Sequence, residues 1–270
     1  MKVIVYNVLV LLGISVLFVG CSKSDNPASP SGSTAIMKIN MVDGSADFTE
    51  VNIVIDSVQA HISTGDSTSG WYTLNNVPST YNLLTLVNGN STVIAEDTLP
   101  AGKYSQIRLF VGSGSTVMAK GWAQPLALTT PSGSQSGVKL NVNADILEGI
   151  TYELTIDFDA GQSIVTTGSP TSPKYILKPV IRVVSSATTG IISGIVLPDT
   201  VSANIWAVLG SDSTSTSKDT TGAFKLLNLL PDTYKVHIIP NNTDFKDTTI
   251  TNVVVTVGNT TDISTITLHK

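Results

Sequence analysis

Thr151-Tyr152-Glu153-Leu154-Thr155-Ile156-Asp157-Phe158-Asp159 is the stretch on which the fold turns. Side chains alternate with period two along an extended chain. Tyr152, Leu154, Ile156 and Phe158 therefore share one face, and Thr151, Glu153, Thr155, Asp157 and Asp159 share the other. The same alternation recurs upstream, where Met37, Ile39 and Met41 are separated by Lys38 and Asn40. Val51, Ile53 and Ile55 continue it, and then the apolar phase slips by one residue to Val58, Ala60 and Ile62. A slip that keeps the apolar side inward predicts a β-bulge at Asp56-Ser57. Leu99-Pro100-Ala101-Gly102 signals a turn before a strand from Lys103 to Val111. Tyr81 to Leu86 fits either a strand or one helical turn, and residues 112–137 fit a long loop or a short hairpin. Downstream, Tyr175 to Val184 reads as one closing strand, with Pro179 at an edge or bulge because proline cannot donate to a ladder.

Beyond the polar junction Ser185–Thr189 the spacing shortens. Strands are expected near 190–197, 203–209, 223–228, 233–239, 250–257 and 262–268, and regular short strands with frequent turn signals indicate a sandwich. Composition agrees: only 13% of residues are charged, and Ser, Thr, Val and Gly are abundant, which suits pleated strands and tight turns. The fold class expected is all-β, with two antiparallel β-sandwich domains in tandem, spanning 35–185 and 190–270. No segment after the N-terminus has a helical period.

The N-terminus has a different character. Lys2 precedes an apolar run that ends Leu17-Phe18-Val19-Gly20-Cys21, and Ser22-Lys23-Ser24-Asp25-Asn26-Pro27 follows at once. A charged start, a short apolar core and a small residue at the cut describe an export signal over residues 1–20. Val3 to Val19 is at the short limit for a bilayer-spanning helix. Residues 21–34 read as a flexible tether, too poor in apolar groups to fold. Cys21 is the sole cysteine, so no disulfide supports the fold. Removing the leader takes Lys2 with it and moves the net charge from −5 to about −6. That sign, with no basic stripe, excludes nucleic acid as a partner.

Three resemblances follow from these residues. Leu17-Phe18-Val19-Gly20-Cys21 resembles the lipobox of bacterial lipoproteins. It implies that Cys21 is lipidated, that the membrane contact is this covalent lipid, and that the protein lives in the cell envelope. Ser22 after the cysteine favours the outer membrane where there is one. Leu99–Leu109 and Leu154–Ala160, with Trp71 and Asn82–Leu86, resemble a family of bacterial lipoprotein domains of unknown function. Gly190–Val196, Ala203–Ala207, Thr220–Phe224 and Leu229–Val236 resemble carboxypeptidase-regulatory-like modules of prealbumin or Ig-like, carbohydrate-binding-like fold. In that pattern Gly222 turns the chain, Phe224 and Leu226 enter the core, and Tyr234 and Val236 return antiparallel.

Catalytic signatures are missing from the sequence. His61, His237 and His269 are not at metal-ligand spacing, and there is no His-Glu-x-x-His, Cys cluster or Gly-x-Ser-x-Gly. Gly112-Ser113-Gly114-Ser115 lacks the lysine of a phosphate loop. No cofactor and no enzymatic activity are expected. Asp157 and Asp159 point the same way, with Glu153 on that face, and could hold calcium if a loop added carbonyl ligands; the alternative is a solvated face. Among the tryptophans, Trp122 follows Gly121 in a loop-rich region and is the candidate sugar platform, whereas Trp206 reads as core. Eight of 16 aspartates precede Ser or Thr. Seven of these pairs resemble the O-glycosylation sequence of exported Bacteroidetes-type proteins, with Ser57, Ser67, Thr98, Thr200, Ser213, Thr220 and Thr248 as acceptors; the alternative is that these are turn formers gathered in loops. The function expected is a lipid-anchored envelope protein with a binding or scaffolding role, its partners being envelope proteins or glycans. An accessory sugar-binding lipoprotein and an exported hydrolase are the alternatives.

Overall fold

The alternating stretches build strands in the computed structural model, which describes residues 32–63, 69–131 and 136–270. Residues 1–20, Cys21 and Ser67 lie outside the described residues. β1 (Thr34–Asp43), β2 (Glu50–Ile62), β3 (Trp71–Asn75), β4 (Ser79–Asn82), β5 (Thr92–Pro100), β6 (Gly102–Val111), β7 (Thr116–Met118), β8 (Leu126–Thr129) and β9 (Val138–Ile146) come first. β10 (Thr151–Phe158), a single helical turn α1 (Ala160–Ser163), β11 (Ile164–Ser169), β12 (Ser172–Leu177) and β13 (Ile181–Ser185) follow. They form a four-stranded sheet in the order β13-β10-β1-β5 and a nine-stranded sheet along β11-β12-β8-β7-β2-β6-β9, with β3 and β4 paired to β2. Met37, Ile39 and Met41 of β1 and Leu154, Ile156 and Phe158 of β10 are buried with Ile53, Val58, Ile107 and Leu109 of β2 and β6 in one apolar cluster. Each such side chain contributes about 1.5–3 kcal/mol by leaving water.

Local readings of register hold. Ile55 pairs with Val111 and Ser57 with Phe110, so Asp56 is the extra residue of a bulge in β2. Tyr81–Leu86 divides into the end of β4 and a 3₁₀ turn at Leu83–Thr85, where the Asn82 side chain accepts from Leu84 N–H. Residues 112–137 contain the β7–β8 hairpin. The single strand expected over Tyr175–Val184 is corrected: β12 belongs to the nine-stranded sheet and β13 to the four-stranded one. The chain crosses between them at Lys178-Pro179-Val180, because Pro179 ends the ladder. Buried Ser163 fixes the crossing, its carbonyl accepting from Lys178 N–H at 2.8 Å and its hydroxyl from Val180 N–H at 2.8 Å.

A second apolar cluster gathers Ile192, Ile205, Phe224, Leu226, Val236 and Ile238. β14 (Gly190–Leu197), β17 (Ala223–Leu229) and β20 (Thr260–Thr267) make a sheet ordered β17-β14-β20. β15 (Ala203–Leu209), β16 (Asp212–Ser217), β18 (Thr233–Pro240) and β19 (Thr248–Val254) make one ordered β16-β15-β18-β19. Gly222 takes φ +88°, and Phe224, Leu226, Tyr234 and Val236 are buried as the pattern implied. β17 and β18, however, lie in opposite sheets, so Tyr234 returns across the sandwich instead of pairing with its neighbour. Trp206 is also corrected: Ala203, Ile205 and Ala207 face the core, and Trp206 stands half-buried on the outer face, opposite His237. The protein is all-β, of sandwich-like architecture. Most pairings are antiparallel, and β1–β10, β8–β12 and β14–β20 are parallel.

Candidate functional site

The parallel strands β1 and β10 end side by side, with Val42 opposite Asp157 and Asp43 opposite Phe158. Their ends meet β16, whose Thr214, Ser215 and Thr216 are all buried. Ser45 N–H donates to Ser215 Oγ at 2.9 Å. A Cβ on Gly44 would lie 2.7 Å from that same oxygen, so the approach requires a residue without a side chain. Asn88, at φ +57°, closes the contact beside it. Its N–H donates to Thr216 Oγ1 at 2.8 Å, its Nδ2 to Ala223 C=O at 3.2 Å, and its Oδ1 accepts from Lys225 N–H at 2.7 Å. The carboxamide thus serves the open edge of β17 as a neighbouring strand would. The two apolar clusters are joined by this hydrogen-bonded seam.

The seam buries carboxylates. Asp43 Oδ1 accepts from Ala160 N–H at 2.9 Å, while Oδ2 is buried with no partner among the described residues. Asp157 Oδ2 meets Arg182 Nη2 at 2.6 Å across the β10–β13 pair. Asp159 caps α1, accepting from Gln162 N–H at 2.9 Å and from its Nε2 at 2.6 Å. Burial raises the Asp43 carboxyl well above the usual carboxylate range; the Asp157 and Asp159 charges add to this, and the Ala160 amide opposes it. Asp157 is also raised by burial, against the pull of Arg182. Among the cavities that open on the seam are two of opposite character. One of about 360 Å³ is lined by Asp157, Asp159, Gln162, Arg182 and Ser211–Ser215. The other, of about 300 Å³, has an uncharged lining that includes Asn40, Thr155 and Asn228.

The model of a family described as a domain of unknown function, DUF4382, matches residues 34–179, more than half of the chain. The protein belongs to the DUF4382 family. No curated protein matches it. Among solved structures, a fimbrial protein from Bacteroides ovatus is 10% identical, with 88% of this chain and 51% of that one covered and a TM-score of 0.24. The minor pilin of Streptococcus agalactiae is 12% identical over 87% and 96%, with a TM-score of 0.22. A type II cohesin–X-dockerin complex from Acetivibrio cellulolyticus is 23% identical, and the match covers 29% of this chain and 56% of that one, with a TM-score of 0.23. Likeness at these scores adds nothing to the functional reading.

In this DUF4382 protein the expected acidic trio is separated. Glu153 pairs with Lys38 at 3.1 Å, away from the partners of Asp157 and Asp159, and Asp43 joins the latter two instead. No three acidic, histidine or cysteine side chains among the described residues are grouped as metal ligands. The solvated face considered for Asp157 and Asp159 is corrected as well: both are buried, because the Arg182 side chain and the strand β16 pack on that side of β10. Trp122 is half-buried near the β7–β8 hairpin, its backbone N–H donating to Ala119 C=O at 3.2 Å. Of the candidate glycosylation acceptors, Thr98, Thr200 and Thr220 are exposed, and Ser57, Ser213 and Thr248 are half-buried. His61 and Trp71 pack on the outer face of the large sheet, where Arg108 stacks over the indole at 3.8 Å. Sequence reasoning missed Asp43, Asn88 and β16; the Asn88-Gly89 turn dipeptide was the one available signal.

Proposed function

We propose that this protein is a lipid-anchored cell-envelope component with a non-catalytic binding or scaffolding role. The observation that supports it is how the sharpest polar cluster of the chain is spent: its carboxylates lie buried beside the seam, and the groups they bond belong to the first β-unit itself. Arg182 engages Asp157, Gln162 engages Asp159, and Ala160 N–H engages Asp43. A carboxylate acting as acid or base needs an oxygen free for substrate, whereas Asp157 and Asp159, although they line a cavity, are engaged by Arg182 and Gln162. In this reading the lipid on Cys21 holds the chain at the membrane, in the outer membrane where the cell has one, and the tether lets both β-units reach a partner protein or glycan. Exposed Thr98, Thr200 and Thr220 are the acceptors best placed for O-glycans.

Fractionation of the native host tests the anchor. Wild-type protein is expected in the membrane fraction with lipid mass on Cys21, and Cys21→Ser in the soluble fraction. A Cys21→Ser variant that stays wholly in membranes would show that the apolar run itself is the anchor. Crosslinking in intact envelopes tests the role: one envelope protein captured in stoichiometric amount supports scaffolding, and capture of none rejects it.

A further inference from the structure

The uncharged seam cavity has the chemistry of a ligand site. It lies where the end of β1, the middle of β10 and the junction before β14 meet β17 and the Gly258–Asn259 turn. Every polar side chain on its wall is a hydroxyl or a carboxamide, in contrast to the Asp- and Arg-lined cavity elsewhere on the seam. Some of these groups are only partly used. Thr155 Oγ1 and Ser186 Oγ share one hydrogen bond at 3.4 Å. Asn259 spends its Nδ2 on Thr256 Oγ1 and Val257 C=O, which leaves its Oδ1 as an acceptor. Asn228, held at φ +58° and buried, shapes the wall from below, its Nδ2 being closed off from the cavity. Half-buried Asn40 and exposed Ser91 stand at the rim.

The lining selects a ligand class by elimination. A charged ligand would lose its hydration to a wall that offers no countercharge. A purely apolar ligand would strand the hydroxyls and amides that line the wall. An uncharged polyhydroxyl molecule can both donate and accept, and Val42, Ile191 and Leu227 supply apolar wall for its carbon face. The volume lies at the lower end of the range for small-molecule sites, which fits one sugar ring and not a chain. We infer that this cavity binds a small neutral polyol of single-sugar size, between Asn40 and Ser91 on one side and Asn228 and Asn259 on the other. The inference goes beyond membrane scaffolding and does not depend on it, since binding is measurable on detergent-solubilised protein whatever its partner.

Calorimetric titration of the full chain with D-galactose, D-glucose, N-acetyl-D-glucosamine and myo-inositol tests it, with D-glucuronate as the charged control. At least one neutral probe is expected to bind with Kd of about 1 mM or tighter. Glucuronate is expected to be at least about ten-fold weaker. Asn40→Ala should weaken binding about three- to ten-fold. Ser91→Trp, at an exposed rim position, should block it without disturbing the core. Weakening in either variant supports the site. No binding of any neutral probe at about 20 mM, unchanged affinity in both variants, or glucuronate binding as well as the neutral probes would overturn it.

Discussion

Asp43 is the residue most at odds with its surroundings. It is 4% exposed, one oxygen bonds Ala160 N–H, and the other has no partner among the described residues while two more carboxylates stand nearby. Its raised pKa means that the native state keeps the proton to a higher pH than the unfolded chain does. Between the unfolded and folded values the native state therefore binds more protons, and stability falls as pH rises through that window. Above the folded value the loss is complete. Asp43→Asn keeps the acceptor for Ala160 N–H, cannot ionise, and places a donor where the orphaned oxygen stood. The variant is expected to melt higher than the parent at about pH 8, with the gap shrinking toward about pH 4. For a chain of this size each kcal/mol of difference moves Tm by roughly 2–4 °C. Thermal melts across that range check it, and a gap that is constant or grows on acidification contradicts the assignment of Asp43 as the strained group.

At the scale of elements, two turns use the same device. Tyr104 Oη donates to Pro100 C=O at 2.8 Å, and Tyr234 Oη donates to Leu230 C=O at 3.0 Å, each four residues back and each ring buried. The phenol pins the start of its strand, β6 or β18, to the turn before it, as in the tyrosine corner of Ig-like sandwiches. Burial pushes both phenols up from their ordinary value, so each remains a donor at physiological pH. Tyr104→Phe and Tyr234→Phe keep the packing and leave a carbonyl short of a donor, at an expected cost of about 1 kcal/mol each in denaturant unfolding. A cost within error of zero for both would mean that packing alone fixes these turns. Such local devices were legible: Leu99–Gly102 announces its turn, and the phase slip announces the bulge at Asp56. β16 was not, because Asp-Ser-Thr-Ser-Thr-Ser carries no apolar alternation and reads as a loop. It is a strand because β15 supplies the ladder on one side and the first β-unit covers Thr214–Thr216. Asp157 and Asp159 misled for the same reason: alternation along β10 assigned them to a face, and only tertiary packing decided that this face would be buried. Trp206 erred the other way, its size suggesting burial where its register placed it outside.

For the whole molecule, the seam decides whether the two β-units behave as one. Residues 32–270 form a single compact unit although they hold two apolar clusters. The coupling runs through few groups: Asn88 to Thr216, Ala223 and Lys225, and Ser45 to Ser215. Each of these bonds is worth about 0.5–1.5 kcal/mol net, and losing a partner strands a buried group for about 1–3 kcal/mol. Asn88→Ala removes both side-chain bonds and sets alanine, which tolerates the left-handed region less well than asparagine, at φ +57°, for up to about another 1 kcal/mol. Together that is comparable to the coupling needed to make two sandwiches unfold in one step. Wild type is expected to give a single calorimetric transition, and Asn88→Ala combined with Ser215→Ala to give two, because Asn88 then no longer closes the edge of β17 and Ser45 N–H has lost its acceptor. If the double variant still melts in one transition whose calorimetric and van't Hoff enthalpies agree, cooperativity must come from the rest of the contact, and the seam hydrogen bonds would align the two units without coupling them.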